Sequence, residues 1–239
     1  MGTTSRTIIA MGGGGFSMDP DLPLLDTFLL ERARARRGRT RPNVCFVPTA
    51  SGDSIEYIAN FYAAFARRAE ASHLALFDRK VADVETFLLD QDAIYVGGGN
   101  TANMLAIWRV HGVDRALQLA WEAGVVLAGV SAGANCWFES STTDSFGPLA
   151  ALRDGLGFLA GSHSPHYDGE PLRRPTFHRL IAAGELPNGL AADDGAASVF
   201  EGTELAEVVA SSPQARAYRV VRGADGEAIE TELPTRYLG

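Results

Sequence analysis

Two cysteines in 239 residues cannot build a disulfide framework, and Cys45, in an apolar run, and Cys136, behind a serine, lack the spacing of a metal site. Nor is there a basic face. The formal net charge of −8 argues against a nucleic-acid partner, because neutralising phosphates takes a cationic surface. The one basic cluster, "ERARARRGRTR" (31 to 41), falls at a helix end and reads as a solvated face favoured by the helix dipole. No stretch approaches the roughly twenty apolar residues of a membrane span. The opening "MGTTSRTIIAMGGGG" lacks the apolar region of a signal peptide, and Arg6 stands where N-myristoylation wants Ser or Thr. Internal repeats, low-complexity tracts and Pro/Ser-rich linkers are missing too, so no domain boundary is marked. These absences point to a cytoplasmic protein of one domain (1–239), with no metal, no cofactor and no membrane or nucleic-acid partner.

With 46% hydrophobic and 21% charged residues, the composition suits a soluble globular chain able to bury a full core. Short apolar, β-branched runs ending in Gly or Pro alternate with segments of helical period. The runs are "TIIAM" (7 to 11), "NVCFVP" (43 to 48), "HLALF" (73 to 77), "AIYVGGG" (93 to 99) and "GVVLAGV" (124 to 130). Helices are expected at about 22 to 37, 54 to 70, 101 to 109 and 113 to 122, with Thr101 and Asp114 as N-caps. The alternation signals βαβ units and hence an α/β fold of three layers, α/β/α, around a mostly parallel, doubly wound sheet. Beyond residue 185 the texture turns to short strands and turns, with Ala-Asp-Gly-Glu (224 to 227) as a hairpin turn, predicting a short antiparallel C-terminal extension.

Two glycine-rich turns follow apolar runs. "MGGGGFSM" (11 to 18) invites a dinucleotide site, yet Ser17 stands where the third glycine should fall and no acidic residue ends a second strand about twenty residues on. A tight turn at the carboxyl end of the sheet is the plainer reading. "YVGGGNTANML" (95 to 105) has no Walker lysine, and its bare backbone N–H groups near a helix start suit either a structural turn or an oxyanion loop.

"VVLAGVSAGANCW" (125 to 137) carries Gly-x-Ser-x-Gly, Gly129 to Gly133, with a strand before it and a helix after. That context exposes the Ser131 hydroxyl at the tip of a strained turn and aims the Ala132 N–H where an attacked carbonyl oxygen becomes negative. The alternative is that Ser131 only caps the next helix. A serine nucleophile needs a base. His73, His111 and His178 read as structural or surface residues, whereas "GFLAGSHSPHYDGE" (157 to 170) should deliver His163 and His166 at a strand's carboxyl end beside the elbow. Only 35 residues separate Ser131 from His166, too few for an α/β-hydrolase layout and suited to a smaller, glutaminase-like architecture.

Together "GVSAGAN", "VGGGNT", "PTAS" (48 to 51) and "SPHYDGE" resemble the peptidase E, or α-aspartyl dipeptidase, family over about residues 5 to 183. That family is related to cyanophycinase and shares the class I glutamine-amidotransferase-like fold. The resemblance implies a serine hydrolase that cleaves N-terminal aspartyl dipeptides or short peptides through an acyl-enzyme. It implies Ser131 as nucleophile, His166 as base, Gly98 and Ala132 as oxyanion donors, and Asp144 in "STTDSFG" as the acid, with Asp168 its rival. Arg173 or Arg174 would hold the aspartyl carboxylate, beside Asn100 of the Gly-Gly-Gly-Asn-Thr turn. A small peptide is then the implied partner, for a monomer or homodimer. Other amidase or peptidase substrates, β-aspartyl or cyanophycin-type peptides among them, remain open, as does a non-enzymatic anion-binding role. Glutaminase chemistry would want cysteine at position 131.

Overall fold

The computed structural model describes residues 6–239; Met1 and Gly2 of the myristoylation pattern lie outside them. In chain order the elements are β1 (Thr7–Met11), α1 (Leu24–Arg37), β2 (Asn43–Val47), α2 (Ile55–Phe65), β3 (Glu70–His73), α3 (Val84–Leu89), β4 (Ala93–Val96), α4 (Thr101–His111), α5 (Val113–Glu122), β5 (Val126–Val130) and α6 (Ala132–Asn135). There follow β6 (Phe138–Thr143), β7 (Ala150–Leu152), β8 (Leu159–Ser164), α7 (Arg173–Ala182), β9 (Gly189–Ala192), β10 (Ala196–Glu201), β11 (Glu204–Ala210), β12 (Ala217–Arg222), β13 (Ala228–Glu232) and β14 (Thr235–Tyr237).

Eight strands form one sheet in the order β14-β11-β10-β1-β5-β4-β2-β3. From β1 to β3 every pairing is parallel, while β10 runs antiparallel to β1, and β11 to β10. Strand periodicity sorts the core. Ile9, Met11, Phe46 and Tyr95 face α1 and α2, and their alternates Ile8, Ala10, Val47 and Val96 face α3, α4 and α5. This is the expected three-layer fold with its antiparallel C-terminal flank. The sequence reading does not contain the second sheet, six strands in the order β13-β12-β9-β8-β6-β7, in which β6, β8 and β9 run parallel.

Local chemistry sets several boundaries differently from expectation. Asn100, not Thr101, caps α4, its Oδ1 accepting the Asn103 N–H at 2.8 Å, and Gly112, left-handed at φ 71°, both ends α4 and starts α5 in place of Asp114. The strand expected over 73 to 77 ends at His73, and α2 ends at Phe65. The basic cluster is solvent-facing in part, yet its guanidinium groups are engaged. Arg36, Arg37 and Arg39 converge on the fully buried carboxylate of Asp92, and Arg41 donates to the carbonyls of Ala66, Arg67 and Ala69, so the cluster ties α1 to the neighbouring turns. Both cysteines are buried and free. Among the described residues no helix is long and apolar enough to cross a membrane.

One buried charge opposes the fold. Asp26 of α1 is 0% exposed and neither carboxylate oxygen has a well-formed hydrogen bond; burial pushes its pKa from 3.8 up to about 6, against the pull of Arg68 and of the Phe16 N–H. Between pH 4 and 6 the folded chain therefore keeps a proton that the unfolded chain has lost, and stability falls as pH rises through that window. At about 1.4 kcal/mol per pKa unit the loss is on the order of 3 kcal/mol. Asp26→Asn should remove it. Urea unfolding at pH 4 and pH 8 should show the variant gaining on the wild type by about 2–3 kcal/mol at the higher pH, whereas parallel pH profiles would refute the assignment.

Candidate active site

Parallel strands deliver their following loops to one edge of a sheet, and the carboxyl ends of β1, β4 and β5 meet here. Ser131 follows β5 directly at φ 56° and ψ −112°, a conformation rarely open to a residue with a side chain. The elbow closes because its glycines carry no side chain: a methyl at Gly129 would strike the Gly133 carbonyl, and one at Gly133 would strike the carbonyl of Val96 on β4. The Ser131 side chain makes no capping bond to α6, so the cap alternative fails. Gly98 lies against it; a carbon added at Gly98 would be 3.4 Å from Ser131 Cβ and 3.9 Å from its Oγ. The Ala132 N–H, in the first turn of α6, has no intrahelical partner.

His166 sits just beyond β8, in the second sheet, also at positive φ (50°). Its Nδ1 lies 2.6 Å from Oδ1 of Asp194, which follows β9, the parallel neighbour of β8. A carboxylate only accepts, so Nδ1–H donates to it and Nε2 is left with a free lone pair. The carboxylate is wedged between backbones: a methyl at Gly13 would collide with its Oδ1, and one at Gly169 with its Oδ2. Three successive carbonyls of the glycine-rich turn after β1 hold the parts in place. Met11 accepts the Ser131 N–H at 3.1 Å, Gly12 the His166 N–H at 3.3 Å, and Gly13 the N–H of Gly195, beside Asp194, at 3.1 Å.

The carboxylate that meets the imidazole is therefore neither of the two expected ones. Asp144 is exposed in the loop after β6, which is tied to α4 through Asn100 Nδ2 donating to the Ser145 carbonyl, and it does not touch His166. Asp168 accepts the Asp194 N–H at 2.8 Å and so braces the acid instead of meeting the imidazole. Asp194 escapes the sequence reading because "AADDG" looks like a turn on an antiparallel flank. Its signal is the same as that of His166, polar residues at the mouth of an apolar run.

His163 is 0% exposed, donates from Nδ1 to Asn135 Oδ1 at 3.0 Å and stacks on Phe138; burial brings its pKa down to about 3, so it is a neutral core residue. The Cys136 thiol is buried, donates to the Gly133 carbonyl and is pushed well above its ordinary pKa by desolvation. Ser131, His166, Gly98 and Gly99 open on one cavity of about 380 Å³, whose remaining wall is Ser17, Met18, Ser54, Glu56, Tyr57, Asn60 and Val130. No lysine or arginine lines it among the described residues. Arg173, 4% exposed, binds Glu170 at 2.6 Å and the Thr142 carbonyl at 3.3 Å. Arg174 pairs with Glu230 and lies over the rings of Tyr167 and Tyr218. Because α7 packs on the second sheet, both guanidinium groups stay out of the cavity wall, and Asn100 stays out because its side chain caps α4 and donates to the Ser145 carbonyl.

The sequence profile of Peptidase family S51 matches residues 8–208. The chain is 52% identical over 235 residues to the uncharacterized peptidase YgaJ of Bacillus subtilis (strain 168), across 98% of this chain and 100% of that protein. It is 30% identical over 144 residues to the uncharacterized peptidase Lmo0363 of Listeria monocytogenes serovar 1/2a, across 56% and 69%. A peptidase from an acI-B1 Actinobacterium shares the fold at a TM-score of 0.70 and 20% identity, over 98% of this chain and 96% of that one. Fold and relatives define a peptidase. The chain belongs to Peptidase family S51, the peptidase E family, as the resemblance of its motifs implies.

If Asp194 fixes the His166 tautomer, Asp194→Asn should reduce kcat by roughly 10⁴. Asp144→Asn should stay within a few-fold of wild type. Measured side by side at one pH, the reverse order would return the role to Asp144.

Proposed function

We propose that the protein is a serine-type peptidase acting on short peptides through an acyl-enzyme. Ser131 Oγ attacks the scissile carbonyl while His166 Nε2 takes its proton, and Asp194 stabilises the imidazolium that forms. The N–H groups of Ala132 and Gly98 receive the developing oxyanion. The proton then passes from His166 to the leaving amine, and water, deprotonated by the same imidazole, releases the acyl group from Ser131. The observation that carries this reading is the convergence on one cavity of the strained Ser131 and a carboxylate-held imidazole.

An aspartyl side chain in the cavity would need a cation, and both arginines that the resemblance nominates are engaged elsewhere. The residues of the wall instead include an acid, Glu56. We therefore favour short peptides with an uncharged or basic N-terminal residue, whose side chain Glu56 does not repel, over aspartyl dipeptides.

A fluorophosphonate should label Ser131, identified by peptide mass mapping, and Ser131→Ala should lose turnover by on the order of 10⁴ or more while folding normally. No labelling, or a fully active Ser131→Ala, would leave the anion-binding role in its place. For specificity, Asn-Leu should be hydrolysed at least as fast as Asp-Leu; a clear preference for Asp-Leu would contradict the charge argument and leave the nucleophile untouched.

A further inference from the structure

Tyr57, on α2, lines the same cavity as Ser131, Gly98 and His166 and is absent from every motif discussed above. Its ring is fixed. It packs at 5.4 Å from the Phe16 ring and 4.9 Å from that of Phe46, and over Gly97, where an added carbon would come within 3.0 Å of Cε1. Only its hydroxyl has work left to do, and that oxygen accepts the N–H of Gly98 at 3.3 Å.

A phenol that accepts through its lone pair must send its own proton elsewhere. Burial raises the Tyr57 pKa, so the proton is retained at neutral pH, and the Ser17 hydroxyl, also on the cavity wall, gives its own proton to the Gly14 carbonyl. A carbonyl carbon within bonding reach of Ser131 Oγ must lie beside Gly98, which touches that serine. The phenol oxygen, 3.3 Å from the Gly98 nitrogen, stands beside that position.

We propose that the Tyr57 hydroxyl donates a hydrogen bond to the reacting carbonyl oxygen, a side-chain addition to the backbone donors Gly98 and Ala132. No proton changes owner in this role. As the oxygen becomes negative, the phenol O–H rotates toward it on the fixed ring, and the Gly98 N–H is released from the phenol to the same oxygen. The inference rests on Ser131 being the nucleophile.

Tyr57→Phe keeps the packed ring and removes the donor. In the full chain, acylation by p-nitrophenyl acetate and labelling by a fluorophosphonate should each slow by on the order of 10²-fold, with KM for the ester within twofold of wild type and an unchanged thermal midpoint. Labelling as fast as wild type, or faster, would overturn the proposal and make the phenol a bystander or a plug of the Gly98 N–H. A loss confined to KM would overturn it as well. Should Tyr57→Phe not fold, Tyr57→3-fluorotyrosine retains ring and hydroxyl while making the phenol a stronger donor; the labelling rate must then rise, and an unchanged or lower rate contradicts the role. Failure of the wild type itself to label at Ser131 is a separate result, one that removes the serine-peptidase reading on which the inference rests.

Discussion

Three consecutive backbone carbonyls, those of Met11, Gly12 and Gly13, tie together segments that come from two different sheets. Each takes one N–H, from Ser131, His166 and Gly195 in turn, so the end of β1 sets where the hydroxyl, the imidazole and the Asp194 carboxylate stand. The bonds are individually modest, about 1 kcal/mol each. Their effect is geometric. A side chain at Gly13 would fill the space the carboxylate occupies, since a carbon there would meet Asp194 Oδ1 and lie 3.1 Å from His166 Nδ1. A glycine-rich turn that resembles a phosphate cradle in sequence is in the structure the seat of an acid.

Around this seat the chain tolerates strain. Ser131 and His166 are two of the three non-glycine residues at positive φ among the described residues, and such conformations cost on the order of 1–3 kcal/mol each. Their surroundings hold them: Val130 and Ala132 are nearly fully buried, and Tyr167, next to His166, donates to Glu230, which also binds Arg174 and His178. That network lowers the Glu230 pKa to about 2, Arg174, Tyr167 and His178 together outweighing the opposing effect of burial, and fixes α7 against β13. The arginine of the motif thus serves the scaffold of the histidine, which is why it is not free to bind a substrate carboxylate.

How much of this could be read from the sequence depends on how local each feature is. The parallel strands of the first sheet show as apolar runs between helical segments, and the elbow shows because strand, glycines, serine and helix are contiguous. His166 is legible for the same reason, an apolar run that ends in polar residues. Asp194 is not, because its partnership depends on β9, only four residues long, pairing in parallel with β8 in a second sheet that local pattern does not announce. The arginines of residues 36 to 41 mislead in the opposite sense: a run of charge looks solvated until the fold brings Asp92 and a set of open carbonyls beneath it. Tyr57 lies on an ordinary amphipathic helix, where aromatic residues are expected to be core.

The central claim is that Asp194, seated by the glycine-rich turn, holds the His166 imidazole through Nδ1. Proton NMR of the protein labelled with nitrogen-15 in histidine observes that hydrogen directly. A short bond to a carboxylate predicts a far-downfield Nδ1 proton in the wild type that survives Asp144→Asn and disappears in Asp194→Asn and in Gly13→Ala. A downfield proton that persists in Asp194→Asn, or is lost in Asp144→Asn, would contradict the account.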